Sequence, residues 1–253
     1  SLSEELLGID VGGSSIKLAR VDAAQGRLLS PLESLATPSP STPTQVLEAA
    51  LSHPLAAASS GPIGLAFPSV VKQGRARTAA NVDHAWLQFE AGRLVERRWG
   101  RPCAFLNDAD AAGIAEMRFG AGRGVGGVVF VLTLGTGIGS APFVDGRLLP
   151  NTELGHLAVA ALGGLEAEAW ASARVRSELG LDWPAWVARL DQVLAEIHRL
   201  FWPDMFILGG AVSERFAEWG SLLRAPVEVR PAALGPAAGA IGAAIAAHER
   251  YNP

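Results

Sequence analysis

Two glycine loops, each set at the end of an apolar run, constrain this chain more than any other feature. Gly8-Ile9-Asp10-Val11-Gly12-Gly13-Ser14-Ser15-Ile16-Lys17 is echoed downstream by Thr133-Leu134-Gly135-Thr136-Gly137-Ile138-Gly139-Ser140. The first loop follows Leu6 to Ile9 and the second follows Val128 to Leu132. Each leads into a short alternating stretch closed by another turn, Ala24-Gln25-Gly26 or Asp145-Gly146. One strand–loop–strand–turn–strand unit is thus written twice, roughly 125 residues apart, about one small domain each time. Adjacent glycines let backbone N–H groups approach phosphate oxygens without a Cβ in the way. Two such loops facing each other are expected to form a phosphate clamp.

The composition is that of a folded protein. Of 253 residues, 49% are hydrophobic and 18% charged, enough for one large or two small domains with a substantial core. A formal net charge of -4 argues against a general nucleic-acid binder, and no nucleic-acid partner is expected. One cysteine, Cys103, excludes an internal disulfide framework and fits a reducing cytoplasm. Its strand-like surroundings point to packing rather than catalysis. Ser1 to Glu5 is polar and runs straight into a strand-like segment, so no leader peptide is expected. The apolar stretch Ala237 to Ala247 falls short of the ~20 residues a bilayer crossing needs. A cytoplasmic protein without a membrane partner is the expectation.

Strand and helix patterns alternate, which indicates an α/β protein. The first ~30 residues read as three antiparallel strands. Loop prolines at 38, 40 and 43 precede a helix expected over Thr44 to Leu55, with Ser41 or Thr42 as its cap. Strands are expected at Ile63 to Phe67 and at Cys103 to Leu106, and a helix over Ala109 to Phe119. The second half adds helices over Leu165 to Leu179 and Pro184 to Phe201, the latter capped by Asp182 and stopped by Pro203. A strand over Met205 to Leu208 and a small-residue helix over Ala237 to His248 complete the chain.

Around the loops stand residues suited to phosphate chemistry. Ser14 and Ser15 add hydroxyl donors, Lys17 adds a point charge, and Asp10 is placed to hold Mg²⁺ directly or through water. The spacing Gly135-x-Gly137-x-Gly139 also suggests a dinucleotide fingerprint, but that motif should open a helix. Here Ser140 to Gly146 reads as a strand and hairpin turn, so the dinucleotide reading fails on context.

Four segments carry a resemblance to the ROK family of sugar kinases, within the actin-like ATPase superfamily, and most of all to its polyphosphate glucokinase branch. They are Gly8 to Lys17, Thr78 to Asp83, Leu106 to Gly113, and Thr133 through Leu157. The resemblance implies a duplicated actin-like ATPase (ribonuclease H-like) fold of two α/β domains with a cleft between them. Residues 1–108 would form a smaller N-terminal domain and 109–236 a larger one, with a helix over about 237–250 packing back on the first. It implies a glucokinase, a phosphotransferase that moves a terminal phosphoryl group from polyphosphate or ATP to the 6-hydroxyl of glucose, with Mg²⁺ and with domain closure. Other hexoses (mannose, fructose, N-acyl amino sugars) or a non-catalytic sugar sensor are the alternatives.

The same resemblance assigns residues. Asp108 is the expected catalytic base, a role compatible with capping the helix it opens. Asn81, Asn107, Asp108, Glu153, His156 (as a neutral imidazole) and Glu168 form the expected sugar-binding set, with Glu166 as a rival to Glu168. The metal-pair reading of Glu153-x-x-His156 lacks a third ligand nearby. The expected donor-binding set is Asp10, Gly12, Gly13, Ser14, Ser15, Lys17, Thr133, Gly135, Thr136, Gly137, Gly209 and Gly210, with Asp10 at the Mg²⁺. Gly239 to Gly242 resemble an adenosine-side element. Lys17, Lys72, Arg75, Arg77, Arg118 and Arg123 are candidates for a cationic track toward polyphosphate. A homodimer is the family expectation. Two departures stand out. Ala158 to Leu165 contains no cysteine, so no structural zinc is expected at His156, and Pro68-Ser69-Val70 stands where relatives have glycine after proline.

Overall fold

The leading strand is apolar along nearly its whole length because it lies in the middle of a sheet covered on both faces. In the computed structural model, which describes residues 5–252, this strand is β1 (Glu5–Val11). Of the polar segment from Ser1 to Glu5, only Glu5 lies within the described residues. β1 pairs antiparallel with β2 (Ser15–Asp22), which pairs in turn with β3 (Arg27–Leu28) and with β4 (Glu33–Ala36). On its other side β1 runs parallel to β5 (Ile63–Phe67). A small hairpin, β6 (Val71–Lys72) and β7 (Arg75–Ala76), precedes β8 (Cys103–Asn107), which lies parallel to β5. The order is β3-β2-β1-β5-β8.

Helices cover both faces of this sheet. On one side Val46, Leu47 and Trp86 pack with Phe67 and Phe105. These come in part from α1 (Pro43–Leu51), which is followed by the short α2 (Pro54–Ala57) and by α3 (Ala91–Trp99). On the other side lies the C-terminal helix over Ala238–Tyr251. Its backbone comes so close that a Cβ on Gly8 would overlap the Ala240 carbonyl, and one on Gly64 the Ala243 carbonyl. That approach explains the small-residue composition of the final helix. Cys103 is buried in this core, and burial pushes its thiol up to about 12, in keeping with packing.

The second unit repeats the sheet. After α4 (Asp108–Phe119), β9 (Val128–Leu134) pairs antiparallel with β10 (Ile138–Val144), and β10 with β11 (Arg147–Leu148). A two-stranded ribbon, β12 (Ala158–Val159) and β13 (Leu165–Glu166), then leads through α5 (Ala167–Ala171) and α6 (Ala173–Leu179) into α7 (Trp183–Phe201). β14 (Met205–Gly209) returns parallel to β9. After α8 (Phe216–Trp219), β15 (Glu228–Pro231) adds a parallel edge, and the final helix is α9 (Ala238–Tyr251). The order β11-β10-β9-β14-β15 matches the first sheet strand for strand and direction for direction. The core forms where α7 buries Trp186, Val187, Leu190, Val193, Leu194 and Ile197 beside Phe130, Leu132, Phe206 and Leu208. The chain divides into two compact units, residues up to Ala115 together with those from Ala237, and Glu116–Pro236.

Two sequence expectations are corrected. The helix expected over Thr44 to Leu55 is two helices, because Pro54 disfavours helical backbone at His53. Thr42 is the cap of α1, accepting from the Gln45 amide at 3.4 Å. The helix expected over Leu165 to Leu179 begins as strand β13 and then breaks at Ser172. That residue adopts extended backbone (ψ 160°) and its Oγ accepts from the Val175 amide, starting α6 anew.

Candidate functional site

In the first unit the candidate residues Asp10 and Asp108 lie at the carboxyl ends of the parallel strands, where open α/β sheets bind ligands. Asp10 sits in β1 directly opposite Lys17 in β2. Its carboxyl is pushed up to about 6, chiefly by desolvation, with Lys17 opposing the shift. Gly239 of α9 makes room for it, since a Cβ there would overlap the Asp10 carboxylate. The loop that follows closes on itself, Gly12 N–H donating to the Ser15 carbonyl at 2.8 Å. Thr37 holds this loop by its carbonyls: its Oγ1 donates to the Gly12 oxygen at 2.9 Å and its N–H to the Ser14 oxygen at 3.1 Å. The N–H groups of exposed Gly13 and Ser14 have no hydrogen-bond partner among the described residues. Thr37, which carries no motif, was not singled out from the sequence.

The Asp108 side of the same unit is set by β8 and the start of α4. Leu106 lies two strands from Asp10 in register, about 10 Å by strand spacing, and Asp108 follows it by two residues. Asp108 opens α4, and its Oδ1 accepts from the Ala109 amide at 2.8 Å. Asn107 is buried, donating from Nδ2 to the Ser69 carbonyl at 2.9 Å and accepting at Oδ1 from the Asp110 amide at 3.0 Å. Its amide therefore fixes the strand-to-helix corner, with one Nδ2 hydrogen unused among the described residues. Ser69 is buried and braces the same corner, its Oγ donating to the Thr78 carbonyl at 2.7 Å. Asn81 lies on an exposed loop whose carbonyl approaches Gly13. Of the cationic-track candidates, Arg75 is ion-paired with Glu90 at 2.7 Å and Arg77 donates to Gln88 Oε1 at 2.8 Å. Both side chains serve the β6–β7 hairpin.

In the second unit the loop after β9 is built alike. Gly135 N–H donates to the Gly137 carbonyl at 3.0 Å, and the N–H groups of Thr136 and Gly137 have no partner among the described residues. Arg174 of α6 holds the loop: its backbone N–H donates to the Gly135 oxygen and its Nε to the Thr136 oxygen, each at 3.0 Å. Thr133 pairs in register with Gly209, so Gly209 and Gly210 end β14 beside this loop. Gly210 takes φ +90° close against the Leu134 carbonyl, a position only glycine fills without strain.

Next to this loop lies a cluster of three carboxylates about one imidazole. His156 Nδ1 stands 3.1 Å from Glu166 and 3.9 Å from Glu168, and Nε2 stands 3.6 Å from Glu153. The hydrogen bond to Glu166 is the main cause that raises the His156 pKa, and the Glu168, Glu166 and Glu153 charges add to it. The surrounding carboxylates thus shift the ring toward its protonated form. Glu153 is itself raised, by partial burial. The structure brings both rivals to His156. Glu166 is the closer, while Glu168, whose side chain is 27% exposed against 51%, is the better enclosed. Its carboxylate fills the space beside both Gly137 and Gly155, joining the glycine loop to the His156 turn. Buried Ser140, also missed from the sequence, supports that turn by accepting from the Leu154 amide at 3.2 Å. Among the described residues no group of three or more His, Cys, Asp or Glu side chains is arranged to hold a metal ion.

The ROK family profile matches residues 6–168, and the chain belongs to that family. It is 44% identical over 240 residues to a polyphosphate glucokinase of Mycobacterium tuberculosis (strain CDC 1551 / Oshkosh), covering 94% of this chain and 89% of the relative. Among solved structures it is similar to the inorganic polyphosphate/ATP-glucomannokinase of Arthrobacter sp. strain KM. The TM-score is 0.89 at 43% identity, with 98% of this chain and 99% of that one covered. A ROK family glucokinase from Streptomyces griseus, in complex with glucose and AMPPNP, gives a TM-score of 0.79 at 26% identity, with 97% and 99% covered. The fold is accordingly the two-domain actin-like ATPase fold.

Proposed function

We propose that this ROK family chain is a glucokinase that transfers the terminal phosphoryl group of polyphosphate or ATP to the 6-hydroxyl of glucose. The observation that carries it is the pairing of like hairpins with unlike neighbours. Each unit presents a glycine loop whose N–H groups await acceptors. One loop shares its sheet edge with Asp108, and the other borders the Glu153–His156–Glu166–Glu168 cluster.

Phosphoryl transfer passes through a loose transition state, so the protein's task is positioning and charge neutralisation. The amides of Gly13, Ser14, Thr136 and Gly137, with the Ser14 and Ser15 hydroxyls and Lys17, bind donor phosphate oxygens. Asp108 accepts the proton of the sugar 6-hydroxyl as that oxygen attacks phosphorus. Glu153 and Glu168 accept from sugar hydroxyls, while a His156 ring N–H donates; Asn81 and Asn107 complete the set. Asp10 suits Mg²⁺, a cation that keeps several waters and takes only one or two carboxylates. A carboxyl held up to about 6 by desolvation gains from a bound cation. When bound, the ion neutralises phosphate charge.

The Arthrobacter neighbour's name favours mannose as a second acceptor. No helix among the described residues is long and apolar enough to cross a membrane, and a cytoplasmic homodimer fits the reading. The test is replacement of the base. Asp108→Ala should lower turnover at least about 10³-fold in a coupled glucose 6-phosphate assay while glucose still binds by calorimetry. A wild-type rate would overturn the assignment.

A further inference from the structure

Each glycine loop is gripped from behind by a single residue that uses both its backbone N–H and its side chain. In the first loop that residue is Thr37, with a neutral hydroxyl; in the second it is Arg174, with a guanidinium. A trans peptide unit points its C=O and N–H in opposite directions. Fixing the Gly135 carbonyl therefore aims the Thr136 N–H, and fixing the Thr136 carbonyl aims the Gly137 N–H. Those are the two amides of the loop that lack partners among the described residues. Arg174 thus orients both of them at once, from 38 residues away in sequence.

We propose that Arg174 is a positioning residue for the phosphate donor, locking the Thr136 and Gly137 amides outward and supplying positive charge at the second loop. The proposal rests on the kinase reading above. Charge explains why a cation stands here. The Glu168 carboxylate lies against Gly137 and would repel an incoming phosphate. A charged donor on the Thr136 carbonyl polarises that peptide, and the guanidinium offsets the neighbouring carboxylate. In the first loop Lys17 stands opposite Asp10 and does the same, so there a neutral threonine suffices as the grip. The other partner of Arg174 is Glu178, four residues on, at 3.4 Å with both side chains exposed, a pair too weak to neutralise the guanidinium.

The experiment compares Arg174→Ala, Arg174→Lys and the control Glu178→Ala with the wild-type enzyme. The readouts are KM for ATP, polyphosphate and glucose, the melting temperature, and tripolyphosphate binding by calorimetry. Arg174→Ala should raise the donor KM about tenfold and weaken tripolyphosphate to a similar degree. Its glucose KM and melting temperature should stay near wild type. Lysine should recover part of the loss, and Glu178→Ala should change nothing. Unchanged donor KM and tripolyphosphate affinity in Arg174→Ala would overturn the proposal. So would a joint rise of donor and glucose KM with a lower melting temperature, the mark of a purely structural brace. If wild-type protein phosphorylates no sugar, the kinase reading fails separately. Tripolyphosphate that binds the wild type more tightly than Arg174→Ala still supports the role of Arg174, and equal binding overturns it.

Discussion

The first hairpin is gripped by Thr37 and flanked by Asp10 and Lys17, whereas the second is gripped by Arg174 and flanked by Glu168. Both follow the first strand of a sheet with the same five-strand order, and in both the leading glycine N–H is consumed within the turn. Topology and turn were thus kept while the attachments diverged. The carboxylate of the first is desolvated beneath Gly239 and faces a lysine, which suits a metal-bearing donor side. The carboxylate of the second, Glu168, also lies beside the His156 turn, which joins that hairpin to the Glu153–His156 cluster and sets negative charge next to it. The sheet repeat carries two like glycine loops, and what differs between them is their neighbours.

The largest effect expected from this division, beyond Asp108, lies on the sugar side. His156→Ala removes an imidazole set among three carboxylates, and the glucose KM should rise about thirtyfold with donor KM unchanged in steady-state assays. An equal rise in both would erase the distinction between the hairpins. Next comes the proton on Asp10. Its pKa in the folded protein, about 6 against 3.8, means the native state binds more protons than the unfolded chain between those values. Stability from this group is therefore fully present at low pH and lost as pH rises from about 4 to about 6. Measured by urea denaturation without divalent cations, the wild-type advantage over Asp10→Asn should fall by on the order of 2 kcal/mol across that window. Parallel stability curves would contradict the buried carboxylate. The smallest effect belongs to Thr37→Val, which loses one neutral hydrogen bond to Gly12. Its donor KM should rise about threefold, less than for Arg174→Ala, because a hydroxyl grip is weaker than a charged one. A larger effect at Thr37 would reverse the comparison between the grips.

Much of this was legible in the chain because it is local. Glycines after apolar runs mark the hairpins, Asp10 and Lys17 are placed opposite by a short loop, and Glu153 and His156 share one turn. Thr37, Arg174 and Ser140 were not legible, since each acts on a backbone group 12 to 38 residues away and the sequence carries no pattern for such a bond. The break at Ser172 is a case between the two. Its surroundings read as continuous helix by composition, and only the extended backbone at the cap separates α5 from α6. The contact between His156 and Glu166 was not legible because Glu166 reaches the ring through β13, a strand where helix was expected.

The proposed activity is phosphoryl transfer from polyphosphate or ATP to glucose. The direct measurement is the initial rate of glucose 6-phosphate formation by purified wild-type protein with Mg²⁺, supplied in turn with polyphosphate and with ATP. The expected result is turnover with at least one donor, abolished when the donor is omitted. No glucose 6-phosphate from either donor, in protein that is folded and binds glucose, would contradict it.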